Sequence, residues 1–251
     1  MEQMTAEKLE TTITTGVLWP TPTLTLIIDQ PEEFNRALAK IVLTEEQKVR
    51  QKTKATPVAG IDMGLTAHWL EFNVLNWPYP EIKMFRECVL KGVREFFRVL
   101  GNDPDDPEMT IQGISCWANV LRKGEYLGIH HHDPAYVSAH YTVQTGFDPN
   151  EPRKDNTDGQ GNTVYFRPGF MDRSHGGEAA GPTSPWDADW QISTAPRPGR
   201  LFFFPSYVRH EVRPYFGDTY RISIAMDVFI KKQKLPIYFG GPRWFIPNKK
   251  S

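Results

Sequence analysis

The sequence predicts an α+β chain in which helices come early and short strands come late, and three observations carry that expectation. Before residue 101, apolar residues recur at three- and four-residue steps, in Phe34, Leu38, Ile41 and Val42 and again from Ile82 to Leu100. From Ile111 onward the pattern changes to alternation and to short β-branched or aromatic runs bounded by turn residues. At 251 residues the chain is long enough for one sizeable core. Residues 1–15 therefore read as a loosely ordered lead-in and residues 16–251 as a single domain.

The lead-in is polar and Thr-rich, with little to bury. Gly16 to Ile28 carries Val17, Leu18, Leu24, Leu26, Ile27 and Ile28 but is broken by Pro20 and Pro22, which suits an edge strand. Asp29 and Glu32 match a capping box with Pro31 in the first turn, so a helix starts there. From Thr44 to Thr56 the chain is charged, as in a solvated helix end and loop. Ile61 to Pro80 is aromatic-rich and ends in two prolines, which predicts a loop over the later strands, with His68 a packed or surface side chain. Ile82, Phe85, Val89, Val93, Phe96 and Leu100 define a second helix, stopped by Gly101-Asn102, that should brace the sheet. Asp103 to Glu108 is an acidic turn without the glycine and distal glutamate of a calcium loop.

Ile111 to Leu121 reads as a strand with Ile114, Cys116, Ala118 and Val120 on one face and Ser115, Trp117, Asn119 and Leu121 on the other. Tyr136 to Gly146 is another strand, from which Tyr141 or Thr142 is a candidate to bond a carboxylate; parity across the preceding turn leaves the choice open. Thr163 to Phe166 is a short strand between two long connections, Phe147 to Gly161 and Gly169 to Gly199. Loops of that length in a compact domain are usually lids or binding loops. Trp186, Trp190 and His175 are accordingly candidate substrate contacts. Arg221 begins a strand running to about Ile230, and the tail from Lys231 to Ser251 offers Tyr238-Phe239 and Trp244-Phe245-Ile246 for packing on the core or on a second subunit, as in a homodimer.

Composition narrows the function classes. Lys and Arg total 29 against 30 Asp and Glu, with no basic block, so neither nucleic acid nor an anionic membrane is an expected partner and a small molecule is. Two cysteines, Cys88 and Cys116, build no disulfide framework and fit a reducing cytoplasm. The N-terminus lacks a basic segment followed by an apolar stretch, and no apolar run approaches 18 residues.

The chemistry concentrates in Ile129-His130-His131-His132-Asp133-Pro134. In an extended stretch His131 and Asp133 share one face and His130 and His132 the other. A His-x-Asp pair with a distant second imidazole makes the facial triad of non-haem Fe(II) oxygenases. His210, after the apolar run Leu201-Phe202-Phe203-Phe204, supplies that imidazole, giving His131, Asp133 and His210 as the expected ligands. A solvated turn or a set of core histidines is the competing reading of the cluster. Eleven residues past His210, Arg221 and Ser223 share a face of an otherwise apolar strand. A buried arginine there calls for an anion, and a dicarboxylate would satisfy it; a structural salt bridge is the alternative.

Together His131-x-Asp133, His210 and Arg221-x-Ser223 resemble the Fe(II)/2-oxoglutarate-dependent oxygenases, more narrowly a bacterial and phage group of them. Similarity to that group extends over about residues 17 to 230, through Trp19-Pro20-Thr21-Pro22, Asn35 and Leu38, Trp117-Ala118-Asn119, a His-x-His/Asp-Pro turn, a Pro-Gly-x-Leu-x-x-Phe-Pro-Ser strand and a final Arg-Ile-Ser-Ile-Ala strand. Members often carry histidine where Asp133 stands, so the expected set here is the more usual one. The resemblance implies a double-stranded β-helix (jelly-roll, cupin-like) core, which periodicity does not reveal. It also implies Fe(II), 2-oxoglutarate and O2 as cofactors, with Arg221 and Ser223 on the distal carboxylate and Asn119 within reach of the cosubstrate. The implied reaction is hydroxylation of an unactivated C–H bond of an amino acid or related metabolite, with release of succinate and CO2. Related halogenases replace the carboxylate ligand with a small residue, and Asp133 leaves no such room. A metal-dependent isomerase or epimerase of the cupin kind would have no use for Arg221-x-Ser223, and a non-catalytic binding module would not need the triad.

Overall fold

The computed structural model describes residues 21–29, 31–52, 65–147, 159–168 and 191–247. Along the chain lie β1 (Leu24–Ile27), α1 (Glu32–Lys52), α2 (Pro80–Val99), β2 (Ile111–Leu121), β3 (Leu127–His130) and β4 (Val137–Gln144). They are followed by β5 (Thr163–Phe166), β6 (Gln191–Thr194), β7 (Arg200–Pro205), β8 (His210–Val212), β9 (Arg221–Ile230) and β10 (Trp244–Phe245). A six-stranded sheet has the order β1-β7-β4-β9-β2-β10 and a four-stranded sheet the order β3-β8-β5-β6. Pairing is antiparallel throughout, and the two sheets form the jelly-roll core.

The helices cover one face of the larger sheet because their apolar stripes have no other place to go. Leu38 and Val42 of α1 and Phe85, Val89, Val93 and Phe96 of α2 are fully buried with Ile114, Cys116, Ala118, Ile222 and Ile224 of the sheet. Each of the Leu, Val, Ile and Phe side chains contributes about 1.5–3 kcal/mol relative to exposure. Two polar contacts fix the docking: Tyr141 Oη donates to Asn35 Oδ1 at 2.7 Å, and Arg122 at the end of β2 pairs with the buried Glu46 carboxylate at 2.7 Å. Gly92 lets α2 approach β7, since a Cβ there would lie 2.3 Å from the Phe203 ring. Gly101, at φ +75°, ends α2 in the left-handed conformation that glycine adopts freely.

Two expectations are revised and a third is narrowed. The segment before α2 is no loop over the strands: Val74 and Leu75 sit in a short 3-10 turn and are fully buried in the core. The connection from Gly169 to Gly199 contains strand β6, which its single, 61% exposed apolar residue Ile192 did not advertise. The described part of the tail packs on its own core, with Trp244 opposite Ser115 and Phe245 opposite Ile114. The lead-in, Trp19, His175, Trp186 and Trp190 lie outside the described residues. Among the described residues no helix is long and apolar enough to cross a membrane.

Candidate functional site

Between the sheets lies a cavity of about 470 Å³. From the larger sheet, β9 turns Arg221, Ser223, Ala225, Asp227 and Phe229 into it, and β2 adds Trp117 and Asn119. The smaller sheet supplies histidines. His130 of β3 is the direct cross-strand partner of His210 in β8, and residues opposed in an antiparallel ladder project to the same face. His132, two residues on, joins them. Ring centroids are 4.3 Å apart for His130 and His210, 5.0 Å for His130 and His132 and 5.1 Å for His132 and His210.

Among the described residues these three form the group that could hold a metal ion, with ligand atoms within 4.8 Å of one another. Their hydrogen bonds prepare them for it. His130 Nδ1 meets the Gly128 carbonyl at 2.6 Å, His210 Nδ1 the Val208 carbonyl at 3.0 Å and His132 Nδ1 the Asp227 carboxylate at 3.1 Å. All three partners only accept, so in each neutral ring Nδ1 carries the proton and Nε2 presents a lone pair. The Nε2 atoms of His132 and His210 then face each other at 3.3 Å with no hydrogen between them. A cation resolves that opposition, since two nitrogens bound at right angles about 2.1 Å from one ion stand about 3 Å apart. Burial, with the neighbouring histidines, holds His210 well below the ordinary imidazole range, and burial also lowers His130. Both are thereby kept neutral, the ligating form.

Asp227 is buried and fully engaged. Its second oxygen accepts from Ser138 Oγ at 2.6 Å, across the ladder in which Ser138 and Asp227 are partners. A carboxylate thus stands one hydrogen bond behind His132.

Beyond the histidines, Arg221 is 2% exposed, and its guanidinium donates to the Gly161 carbonyl at 2.9 Å, Ser223 Oγ at 3.3 Å and Thr163 Oγ1 at 3.4 Å. Asn119, the cross-strand partner of Ser223, is oriented by Thr66 Oγ1, which donates to its Oδ1 at 2.7 Å. His140 also lines this end and is bonded through Nε2 to the Tyr165 hydroxyl. Burial first, then the charges of Arg221 and Arg200, pushes His140 down to about 3, while burial pushes Tyr165 up. The opposite end is aromatic: Trp117 packs 5.6 Å from His132, Trp69 5.8 Å from Trp117, and Arg243 lies 4.6 Å over Trp69.

His210, Arg221, Ser223 and Asn119 therefore meet at one cavity, which His131 and Asp133 also border, but the imidazoles grouped with His210 are those of His130 and His132. The His131 and Asp133 side chains are 47% and 55% exposed and face each other at 3.4 Å at the edge of the cavity. Alternation gives which residues share a face but not which face is inward, and the ladder with β8 turns His130 and His132 inward. Tyr141 is likewise revised, since its parity directs it to the helical layer. Thr142 is buried opposite Ser223 but does not line the cavity. Asp227 was within reach of sequence reasoning, because it continues the parity of Arg221 and Ser223. Arg243 and Trp69 were not, as only long-range pairing brings them there.

Residues 115–227 match the protein-family model described as "Putative 2OG-Fe(II) oxygenase". No curated protein sequence matches the chain. Among solved structures, a Pseudomonas putida prolyl-4-hydroxylase is similar at 16% identity and a TM-score of 0.50, over 83% of this chain and 92% of that one. A Trichoplax adhaerens prolyl hydroxylase in complex with a hypoxia inducible factor oxygen degradation domain peptide is similar at 16% identity and a TM-score of 0.54, over 84% and 85%. The α-ketoglutarate-dependent carbocyclase SnoK from nogalamycin biosynthesis follows at 13% and 0.50, over 83% and 79%. At such identities these likenesses speak for the fold. The matched span contains His130, His132, His210, Arg221 and Asp227, so the candidate site lies within the stretch that is similar to the 2OG-Fe(II) oxygenases, a family of enzymes that use Fe(II), 2-oxoglutarate and O2.

Proposed function

We propose that the protein hydroxylates a small molecule, an amino acid or related metabolite, with Fe(II) held by His130, His132 and His210 and 2-oxoglutarate held by Arg221. The observation that carries this reading is the convergence of three Nε2 lone pairs beside a cavity with a buried guanidinium at one end. Imidazole suits iron, nickel, copper and zinc alike, so the choice of iron comes from the family. The metal, cosubstrate and O2 together supply the oxidising power for an unactivated C–H bond, with succinate and CO2 released.

The chain's own residues do the positioning. Arg221 offers a rigid, permanently charged fork to the distal carboxylate, and Ser223 and Thr163 hold that fork still. Asn119 presents a fixed amide on the same wall. His140, kept neutral, adds no second positive charge beside Arg221. Asp227 keeps the His132 proton on Nδ1 and places its negative charge behind a ligand set that has none of its own. The position that related halogenases leave to a small residue is filled by His132, which favours hydroxylation. The test is 2-oxoglutarate turnover to succinate against a panel of amino acids and related metabolites. Stimulation by one member with an added hydroxyl in the product supports the reading; absence of succinate with and without every member of the panel contradicts it.

A further inference from the structure

Arg243 is unlike the other cavity-lining arginine. Its Nε is buried without a hydrogen-bond partner, and among the described residues its guanidinium has no carboxylate at ion-pair distance. It is held instead by two indoles, with Cζ 4.6 Å from the Trp69 ring centroid and 4.4 Å from that of Trp244. The segment that carries it is anchored from both sides: Asn73 Nδ2 donates to the Arg243 carbonyl at 2.8 Å, and Trp244 pairs with Ser115 in the β2/β10 ladder. A cation fixed by packing and lacking an anion is a preorganised receptor, because little ordering entropy remains to be lost on binding. Burial lowers the proton affinity of Arg243, and the acid that partly offsets this, Asp227, is already committed to His132 and Ser138.

Its placement relative to the metal ligands gives the site a direction. Arg221 occupies one end of the cavity; Arg243 lines the other, reached from His132 along Trp117 and Trp69. Phe229 adds a further apolar wall there. Trp69 and Arg243 both lie outside residues 115–227, the span that matches the family. We propose that Arg243 binds a carboxylate of the substrate, so that the substrate is a carboxylate-bearing small molecule whose apolar or aromatic body lies on Trp69 and Trp117. A planar two-oxygen acceptor suits the planar N–H fork better than a tetrahedral anion does. The proposal rests on reading the cavity as an oxygenase site, with the Arg221 end reserved for 2-oxoglutarate.

The test uses protein loaded with Mn(II) and 2-oxoglutarate, which turns nothing over, and matched probes: phenylacetate and phenylacetamide, indole-3-acetate and indole-3-acetamide, and benzylphosphonate. Binding is read by calorimetry and by quenching of the indole fluorescence. Each acid should bind about tenfold or more tightly than its amide, and Arg243→Gln should erase that difference while Arg243→Lys keeps part of it. Affinity for 2-oxoglutarate should stay within about twofold of the parent in Arg243→Gln, by the independence of distant sites. Equal binding of acid and amide, an acid preference that survives Arg243→Gln, a preference for the phosphonate, or no binding of any probe at millimolar concentration each overturns the proposal. A parent that binds no 2-oxoglutarate contradicts the proposed function instead, and the acid-to-amide ratio, read on the metal-free protein, still decides the role of Arg243.

Discussion

His130 and His210 are direct partners in the β3/β8 ladder, with imidazole centroids 4.3 Å apart. That one pairing sets the inward face of the whole histidine stretch, because side chains alternate along an extended chain. It brings His132 to the same centre and leaves Ile129, His131 and Asp133 exposed at the edge of the cavity. It also places two of the three candidate ligands on strands joined by backbone hydrogen bonds, so their spacing is held by the sheet.

Asp227 orients His132 and supplies the negative charge nearest the ligands. Asp227→Asn removes that charge and allows the side chain to present an amide N–H to Nδ1, which would turn the wrong tautomer toward the metal. Outer-shell changes of this kind typically cost 10- to 100-fold in metal affinity, and a loss of about that size is expected in anaerobic Fe(II) titration. Parent-like affinity would remove Asp227 from the account.

Arg221 is buried at the deep end, where a charge-assisted bidentate contact is worth roughly 2 to 5 kcal/mol against about 1 or less at a surface. Arg221→Gln should therefore raise the apparent 2-oxoglutarate constant well over tenfold, each 1.4 kcal/mol being a factor of about ten. Fe(II) affinity without cosubstrate should stay near the parent value. Normal 2-oxoglutarate binding in this variant would move the anchor elsewhere, though not to Arg122, which is paired with Glu46.

His140 gives a pH signature. An unfolded imidazole takes its proton near pH 6.5, whereas the folded one waits until about 3. Between those values the unfolded chain binds more protons, so stability is complete above about pH 6.5 and falls as the pH drops, by up to about 1.4 kcal/mol per unit. Urea unfolding of metal-free protein at pH 7, 6, 5 and 4 should show a shallower decline for His140→Gln than for the parent. Parallel curves would mean that His140 is protonated in the folded state as readily as in the unfolded chain.

Gly92 carries no side chain because the fully buried Phe203 ring occupies the space a Cβ would need. Gly92→Ala gains helix propensity, about 1 kcal/mol, but overpacking a filled core costs about 1–3 kcal/mol. Net destabilisation is expected, lowering the melting temperature by a few degrees. A raised melting temperature would show that α2 can lift from β7 without loss.

Much of the fold was legible because its signals are local. Strict alternation gave Ile111 to Leu121 with its apolar and cavity faces, and Arg221 to Ile230 as the strand that carries the cavity arginine. Three- and four-residue steps gave α2, and Gly101 its end. At the site the histidine cluster was legible but its sign was not. Ile129, 60% exposed, makes the outward face look apolar, and only pairing with a strand eighty residues away decides the matter. Trp69 and Arg243 meet through the β2/β10 ladder, a contact without local trace in the sequence.

If His130, His132 and His210 hold the metal, anaerobic Fe(II) titration of five single alanine variants will separate them from their neighbours. His130→Ala, His132→Ala and His210→Ala should each lose about 100-fold or more in affinity, beyond what an outer-shell change costs. His131→Ala and Asp133→Ala, which alter half-exposed side chains outside the three-histidine group, should stay near the parent value. Loss of iron binding in His131→Ala and Asp133→Ala, with His130→Ala and His132→Ala unaffected, would contradict the inward face assigned here and restore a His-x-Asp centre.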